Sequence, residues 1–326
     1  MKAILVKEPG GAEALMFGTW ETPAPRENEV LVRVQATALN RADLLQRKGK
    51  YPPPPGVSSI LGLEMAGVVE EVGTGVTKWR KGDKVCGLLS GGGYAEYALI
   101  HEDLALPIPQ QFSMEEAAAI PEVFLTAYQA LKWLSKLQPK ERILIHAGAS
   151  GVGTAAIQLA RFMGAEVIVT ASASKHARCM ELGAALAIDY QSQEFYQKVM
   201  EYTDKKGVDV IIDFIAAPYF DANIRSLATD GRLIILALMG GVQLERFHLG
   251  PILRKRLHII GSTLRTRDLS YKIALSQDLK SFAWPLFENG QIKPIIDSVF
   301  DWTEVANAHR YMEANRNKGK IVLRIN

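Results

Sequence analysis

The chain has 326 residues, 48% of them hydrophobic, with Lys+Arg 38 against Asp+Glu 35, a formal net charge of +3 and a mean hydropathy of +0.02. This is globular composition with enough length for two domains. Two distant cysteines, Cys86 and Cys179, exclude a disulfide scaffold and a four-thiolate zinc site, and a small charge excess without a Lys/Arg run excludes nucleic acid as the expected partner.

In chain order, residues 1–7 carry a short apolar run followed by charge, Pro9 and Gly10, which reads as a first β-strand and not as a signal peptide. No stretch approaches the apolar length of a membrane span. Counting leaves one disulfide open, but two unpaired thiols would suit a reducing cytosol, and we expect a soluble, cytoplasmic protein. The first strand is placed at 3–7 and further strands at 29–37, 66–72, 84–89 and 94–100, separated by turns such as Gly73-Thr74-Gly75 and Lys81-Gly82-Asp83. Residues 51–56 hold four prolines and must form a loop, since proline can join neither a ladder nor a helix interior. The first third is therefore a small, irregular, β-rich domain.

At Ser113 the texture changes. Ser113 with Glu116 three residues on predicts a capped helix start. Strands then alternate with helices: strand 142–146, helix 151–163, strand 166–170, helix 175–182, strand 187–189, helix 194–202, strand 208–214, helix 220–227, and strands 231–238 and 257–264. Such alternation implies a doubly wound parallel sheet, and the wholly apolar runs Ile143-Leu144-Ile145 and Val210-Ile211-Ile212 suit strands buried on both faces. A helix at 303–313 and a closing strand at 319–324 follow. That late strand is expected to return to the first domain, which makes the α/β unit an insertion. The expected domains are 1–122, 123–263 and 264–326.

The strongest motif is the strand–turn–helix passage from Ile143 to Ala160. Its turn is rich in Gly, Ala and Ser, so the backbone can approach a pyrophosphate, and the helix N-terminus offers free N–H groups. Gly148, Gly151 and Gly153 do not fall at G-x-G-x-x-G; the aligned series is Ala147, Ser150 and Gly153. The second strand runs out through Val169-Thr170-Ala171-Ser172-Ala173-Ser174-Lys175, with no acid before Glu181. An acid there would bind the ribose hydroxyls of NAD, so its absence points to NADPH. The alternative is that Ser174 caps the next helix and Lys175 is merely solvated. His146, ending a buried strand, reads as structural. Arg265 and Arg267 either guide a phosphate or cover the surface.

The segments 38–43, 51–56, 61–64, 91–97, 118–121, 146–159, 311–315 and 319–323 together resemble the medium-chain dehydrogenase/reductases, in the zinc-free quinone oxidoreductase branch that includes zeta-crystallin. The resemblance runs from end to end. It implies a groES-like catalytic domain interrupted by a Rossmann domain, with NADPH in the cleft between them, and a homodimer. Carried onto this chain, Ser150, Gly151, Val152, Gly153 and Thr154 would hold the pyrophosphate, and Ser172, Lys175 and Tyr190 would meet the 2′-phosphate. Asn40 and Thr126 would flank the nicotinamide, with Met239, Gly240 and Gly241 as its far wall. Tyr51 would line the quinone pocket, where some relatives place a second tyrosine and this chain has Leu45. Zinc-dependent relatives carry Cys where this chain has Asn40 and His where it has Leu63, so no metal is expected.

The expected reaction is hydride transfer from NADPH to a small, ortho-type quinone. Reduction of activated C=C bonds is the near alternative, and nucleotide binding with little turnover the distant one. Tyr51 and Asp43 are the candidate acids; the alternatives are that Tyr51 packs on the proline loop and that Asp43 caps or pairs locally, the favoured reading for Asp43. The apolar strands 233–238 and 259–264 suggest a sheet edge covered by a second copy.

Overall fold

The computed structural model describes residues 1–325, which divide into two compact units. The first comprises Met1–Leu125 with the segment from Arg265 onward; the second is Thr126–Leu264.

The first unit is built on a seven-stranded sheet. In order across it lie Ile296–Asp301, Lys320–Arg324, Glu29–Ala38, Glu64–Val72, Lys84–Leu88 and Ala105–Pro107, with Tyr97–His101 also paired to Glu29–Ala38. The closing strand lies antiparallel beside Glu29–Ala38, with Val322 opposite Ala38. A separate hairpin joins Lys2–Val6 to Leu15–Thr19. Strand Glu29–Ala38 is the hinge of the pattern because Val30, Val32, Val34 and Ala36 are all buried. Gly62 sits at φ +99°, and a Cβ there would lie 2.6 Å from Gly93 Cα. This close backbone approach is open only to glycine, and it sets the entry of strand Glu64–Val72.

Two helices of this unit are joined through a buried polar chain. Asn40 and Asp43 form a reciprocal capping box at the start of helix Arg41–Arg47. Arg47, fully buried, donates to the Gly10 carbonyl, to Glu313 and, at 3.1 Å, to His309 Nδ1. His309 Nε2 then meets the Tyr94 hydroxyl at 3.2 Å. Burial and the Arg47 charge push His309 down to about 3, so it is neutral and serves as a connector.

The second unit is a six-stranded, wholly parallel sheet. Its order is Leu186–Asp189, Glu166–Ala171, Arg142–Ile145, Val208–Asp213, Leu227–Ile235 and His258–Gly261, or 3-2-1-4-5-6 within the unit. That is the doubly wound order, and the switch point lies between Arg142–Ile145 and Val208–Asp213. Ile143, Leu144, Ile145, Val210, Ile211 and Ile212 are completely buried, as strands covered on both faces require. The core beneath them includes Ile168, Ile188, Phe195, Val199, Ile224 and Leu233. His146 closes the first strand at zero exposure, between the Thr170 hydroxyl (2.9 Å) and Asn223 Oδ1 (2.7 Å). Asn223 in turn donates to Asp213. Nε2 therefore carries the proton, and His146 is structural.

Three sequence expectations shift. Strand Leu227–Ile235 starts earlier than expected and ends before Leu238, while His258–Gly261 is a short edge strand. Helix Leu269–Glu288, the longest among the described residues, lies between 264 and 303, where no element is expected from the sequence, and it holds Pro285 within it. Finally, although the sequence has no basic run, the fold gathers Lys205, Lys206, Arg225, Arg254 and Lys255 around one concavity. Lys255 there donates to the carbonyls of Ile224, Arg225 and Leu227. Both cysteines are buried and unpaired. Among the described residues no helix is long and apolar enough to cross a membrane.

Candidate active site

In the second unit, the residues expected to meet the phosphates follow the carboxyl ends of the parallel strands Arg142–Ile145, Glu166–Ala171 and Leu186–Asp189. Ala147 takes φ +50° and leads to Ser150, whose hydroxyl accepts from the Gly153 amide at 3.0 Å. The Thr154 amide bonds to the Ser150 carbonyl, which leaves the first-turn amides of Gly151 and Val152 without intrahelical partners. They open the 12-residue helix Gly151–Phe162, whose positive end faces any anion placed there. Gly153 admits no side chain: a Cβ would lie 2.4 Å from the Ala147 carbonyl oxygen.

Ser172 ends strand Glu166–Ala171 and is half-buried, and Lys175 caps helix His176–Glu181. Ser174 is exposed within the intervening turn and caps nothing, so the helix-cap reading of that serine fails. Tyr190, 46% exposed, follows Asp189, which pairs with Ala171, so the tyrosine stands beside Ser172. Asp189 is an acid near this edge that the sequence reading passed over. Its carboxylate turns to the Gln191 amide and Ser192 hydroxyl, which hold it below the usual carboxylate range. Met239 and Gly240 donate their amides to Phe214 and Ile215, fixing 239–241 along the loop after Val208–Asp213. A Cβ on Gly240 would meet Ile215 at 2.9 Å. Thr126 is half-buried on helix Pro121–Tyr128. A dinucleotide fits this edge: free amides for a pyrophosphate, hydroxyls and a cation for a phosphate.

The first unit holds a different kind of site, made of charge. Glu64 is fully buried and its Oε1 accepts from Lys320 Nζ at 2.6 Å and from Asn40 Nδ2 at 2.8 Å. Lys320 also donates to Asn40 Oδ1 and the Leu39 carbonyl, both at 2.8 Å. Glu64 Oε2 accepts from the amide of Glu122 at the start of helix Pro121–Tyr128. Asn40 is thus gripped from both ends, with its side-chain amide assigned by its partners. Asp43 accepts from the amides of Asn40 (2.7 Å) and Gly62 (3.0 Å), and burial raises it to about 6. It is a structural cap, as local capping predicted. Glu122 is pushed to about 8 by burial and by the neighbouring Glu64 carboxylate.

Tyr51 is half-buried, and its ring faces Arg265, whose Cζ lies 5.3 Å from the ring centroid. Leu45 is 43% exposed. The sequence reading missed Glu64, Glu122 and Lys320. Their only signal was charge beside apolar strand and helix ends; the partners Glu64 and Lys320 are 256 residues apart.

Residues 26–110 match the alcohol dehydrogenase GroES-like domain and residues 151–280 the zinc-binding dehydrogenase family. A quinone oxidoreductase of Rattus norvegicus is 30% identical over 330 residues, covering 99% of this chain and 97% of the relative. Among solved structures, an NAD-dependent alcohol dehydrogenase is 31% identical with a TM-score of 0.89, both chains covered completely. A mycobacterial protein complexed with NADPH is 28% identical with a TM-score of 0.90, again at full coverage. The JamJ enoyl reductase is 29% identical with a TM-score of 0.88, over 100% of this chain and 99% of that one. The chain belongs to the quinone oxidoreductase branch of the medium-chain dehydrogenase/reductases and is an oxidoreductase.

The second of these families is zinc-binding, and the residues here do not fit a zinc ion. Asn40 and Leu63 offer no anionic or imidazole ligand, and Glu64 is already occupied by the Lys320 ammonium. Among the described residues no group of three His, Cys, Asp or Glu side chains is placed to hold a metal.

Two consequences are measurable. Lys320→Met leaves Glu64 buried without its cation, and should cost about 3–5 kcal/mol in denaturant unfolding. Pairing it with Glu64→Gln should recover part of that loss. The second concerns pH. Glu122 holds its proton to about 8 when folded, against an ordinary 4.5, so between those values the folded chain binds a proton that the unfolded chain has released. Stability from this group is complete below 4.5 and is lost as pH rises to 8, by at most about 1.4 kcal/mol per pH unit. Thermal melts of Glu122→Gln should show a flatter decline than wild type across that window.

Proposed function

We propose that the protein is an NADPH-dependent reductase of small, ortho-type quinones that works without a metal. The observation that carries this is the second unit's dinucleotide edge, which lacks an acid at Ser172; in the first unit, the buried Glu64 carboxylate is already taken by Lys320. The relative named a quinone oxidoreductase and the neighbour complexed with NADPH support it.

When bound, NADPH supplies a hydride; everything else is positioning. Gly151 to Thr154 hold the pyrophosphate by backbone amides. Ser172, Lys175 and Tyr190 meet the 2′-phosphate, where a carboxylate would repel it. Thr126 and Met239–Gly241 bound the nicotinamide. In the first unit, Asn40 is held in place by Glu64 and Lys320, and Tyr51 would offer its ring and hydroxyl to the quinone. Reduction of activated C=C bonds is the second reading, favoured by the enoyl reductase neighbour. On this reading the protein is cytoplasmic, consistent with its two buried free thiols.

Loss of reduced-nicotinamide absorbance should be fast with NADPH and an ortho-quinone, slow with NADH and unaffected by a chelator. Lys175→Glu should shift the preference toward NADH by on the order of tenfold. Faster turnover on 2-alkenals or enoyl thioesters would favour the second reading; tight NADPH binding with no turnover would leave a nucleotide-binding role.

The proposed assembly is a homodimer through the second unit's sheet edge. Strand His258–Gly261 is the last in the sheet, and Leu238, Val242, Leu249 and Leu253 are 53–82% exposed. A second copy would cover that edge. Sedimentation should give twice the 35.9 kDa chain mass, and a single-chain mass overturns this assembly.

A further inference from the structure

Arg265, whose role the sequence left open, is 7% exposed, so it does not cover a surface. Its Nε donates to the Ser90 carbonyl at 2.8 Å, but Nη1 and Nη2 are buried with no hydrogen-bond partner. Lys272, 8% exposed, stands behind it and donates to the Ser90 hydroxyl at 3.0 Å and to Arg265's own carbonyl at 2.7 Å. Two cations are therefore buried side by side, and neither bonds to a carboxylate. The Glu122 carboxyl near them is held to about 8 and is neutral at pH 7, and the Asp43 carboxyl is committed to backbone amides. A buried guanidinium with two free donors is costly unless something accepts from it. Its planar fork matches a pair of oxygens, and it lies against the Tyr51 ring.

We propose that Arg265, backed by Lys272, is the receptor for the acceptor's oxygens and stabilises the negative charge that reduction leaves on them. This rests on the quinone reading above. An ortho-quinone takes up the hydride as one O–H bond, and the displaced π pair comes to rest on the second oxygen as a phenolate, which solvent then protonates. The reduced nicotinamide is oxidised in the same step. The two Nη groups are pre-oriented donors for that developing charge, so they bind the transition state better than the neutral quinone.

Titration of the full-length protein with 4-nitrocatechol, a chromophoric catecholate, tests the receptor without turnover. Wild type should bind it with a shift of its visible band, and Arg265→Met should bind at least about tenfold more weakly. Arg265→Lys, which keeps the charge but not the fork, should fall between. Quinone reduction should drop in the same order, mainly in kcat, while NADPH binding stays unchanged. Because methionine removes an uncompensated buried cation, Tm should hold or rise, whereas a purely structural arginine would lower it. Should Arg265→Met not fold, Arg265→Lys and Lys272→Met carry the same readouts. Failure of wild type to bind the catecholate, or wild-type binding and turnover in the variants, overturns the receptor. Catecholate binding through Arg265 without NADPH oxidation by any quinone would instead overturn the quinone reading and leave the receptor standing.

Discussion

The ion pair between Glu64 and Lys320 holds the first unit's site together. It joins the start of one strand to the start of the last, and its four oxygen and nitrogen contacts also fix Asn40 and the first turn of helix Pro121–Tyr128. A buried pair of this kind gains little over apolar packing unless every remaining donor and acceptor is matched. Here the carboxylate accepts from Lys320, Asn40 and the Glu122 amide, and the ammonium has three acceptors. The geometry thus gives specificity of position, which a site needs more than it needs stability.

The two units solve the problem of recognition by different physics. The second unit uses backbone: small residues, a strained turn at Ala147 and the amides of a helix end, with almost no side-chain charge committed. Such a surface suits a ligand that carries its own charge. The first unit uses side chains, burying Asp43, Arg47, Glu64, Arg265, Lys272 and Lys320 within a β-rich shell. Most of that charge is neutralised internally. The Arg47–His309–Tyr94 chain ties helix to helix, and the Glu64 cluster ties strand to strand. Arg265 differs because its two terminal nitrogens are left over.

Much of this was legible beforehand because local rules dominate it. The strand–turn–helix at 143–160, the capped start at Ser113 and the fully apolar strands are short-range features that declare their own structure, and Asp43's capping role follows from its spacing to Asn40. Helix Leu269–Glu288 was hidden because Pro285 lies inside it and because polar Lys272 and Ser276 share the buried face with Leu275, Leu279 and Phe287. The basic concavity around Lys205, Arg225 and Arg254 was hidden because its cations come from three separate segments.

By itself, then, the sequence determined the class of fold, the nucleotide-binding turn, the missing acid at Ser172 and the absence of zinc ligands at Asn40 and Leu63, all properties of residues adjacent in the chain. Only the tertiary structure decided which charges are partnered. Glu64 finds Lys320 across 256 residues, and Arg265 finds Ser90 across 175 yet leaves two donors free. Local pattern records propensity, but a buried charge is judged by whatever the fold brings within about 3 Å of it.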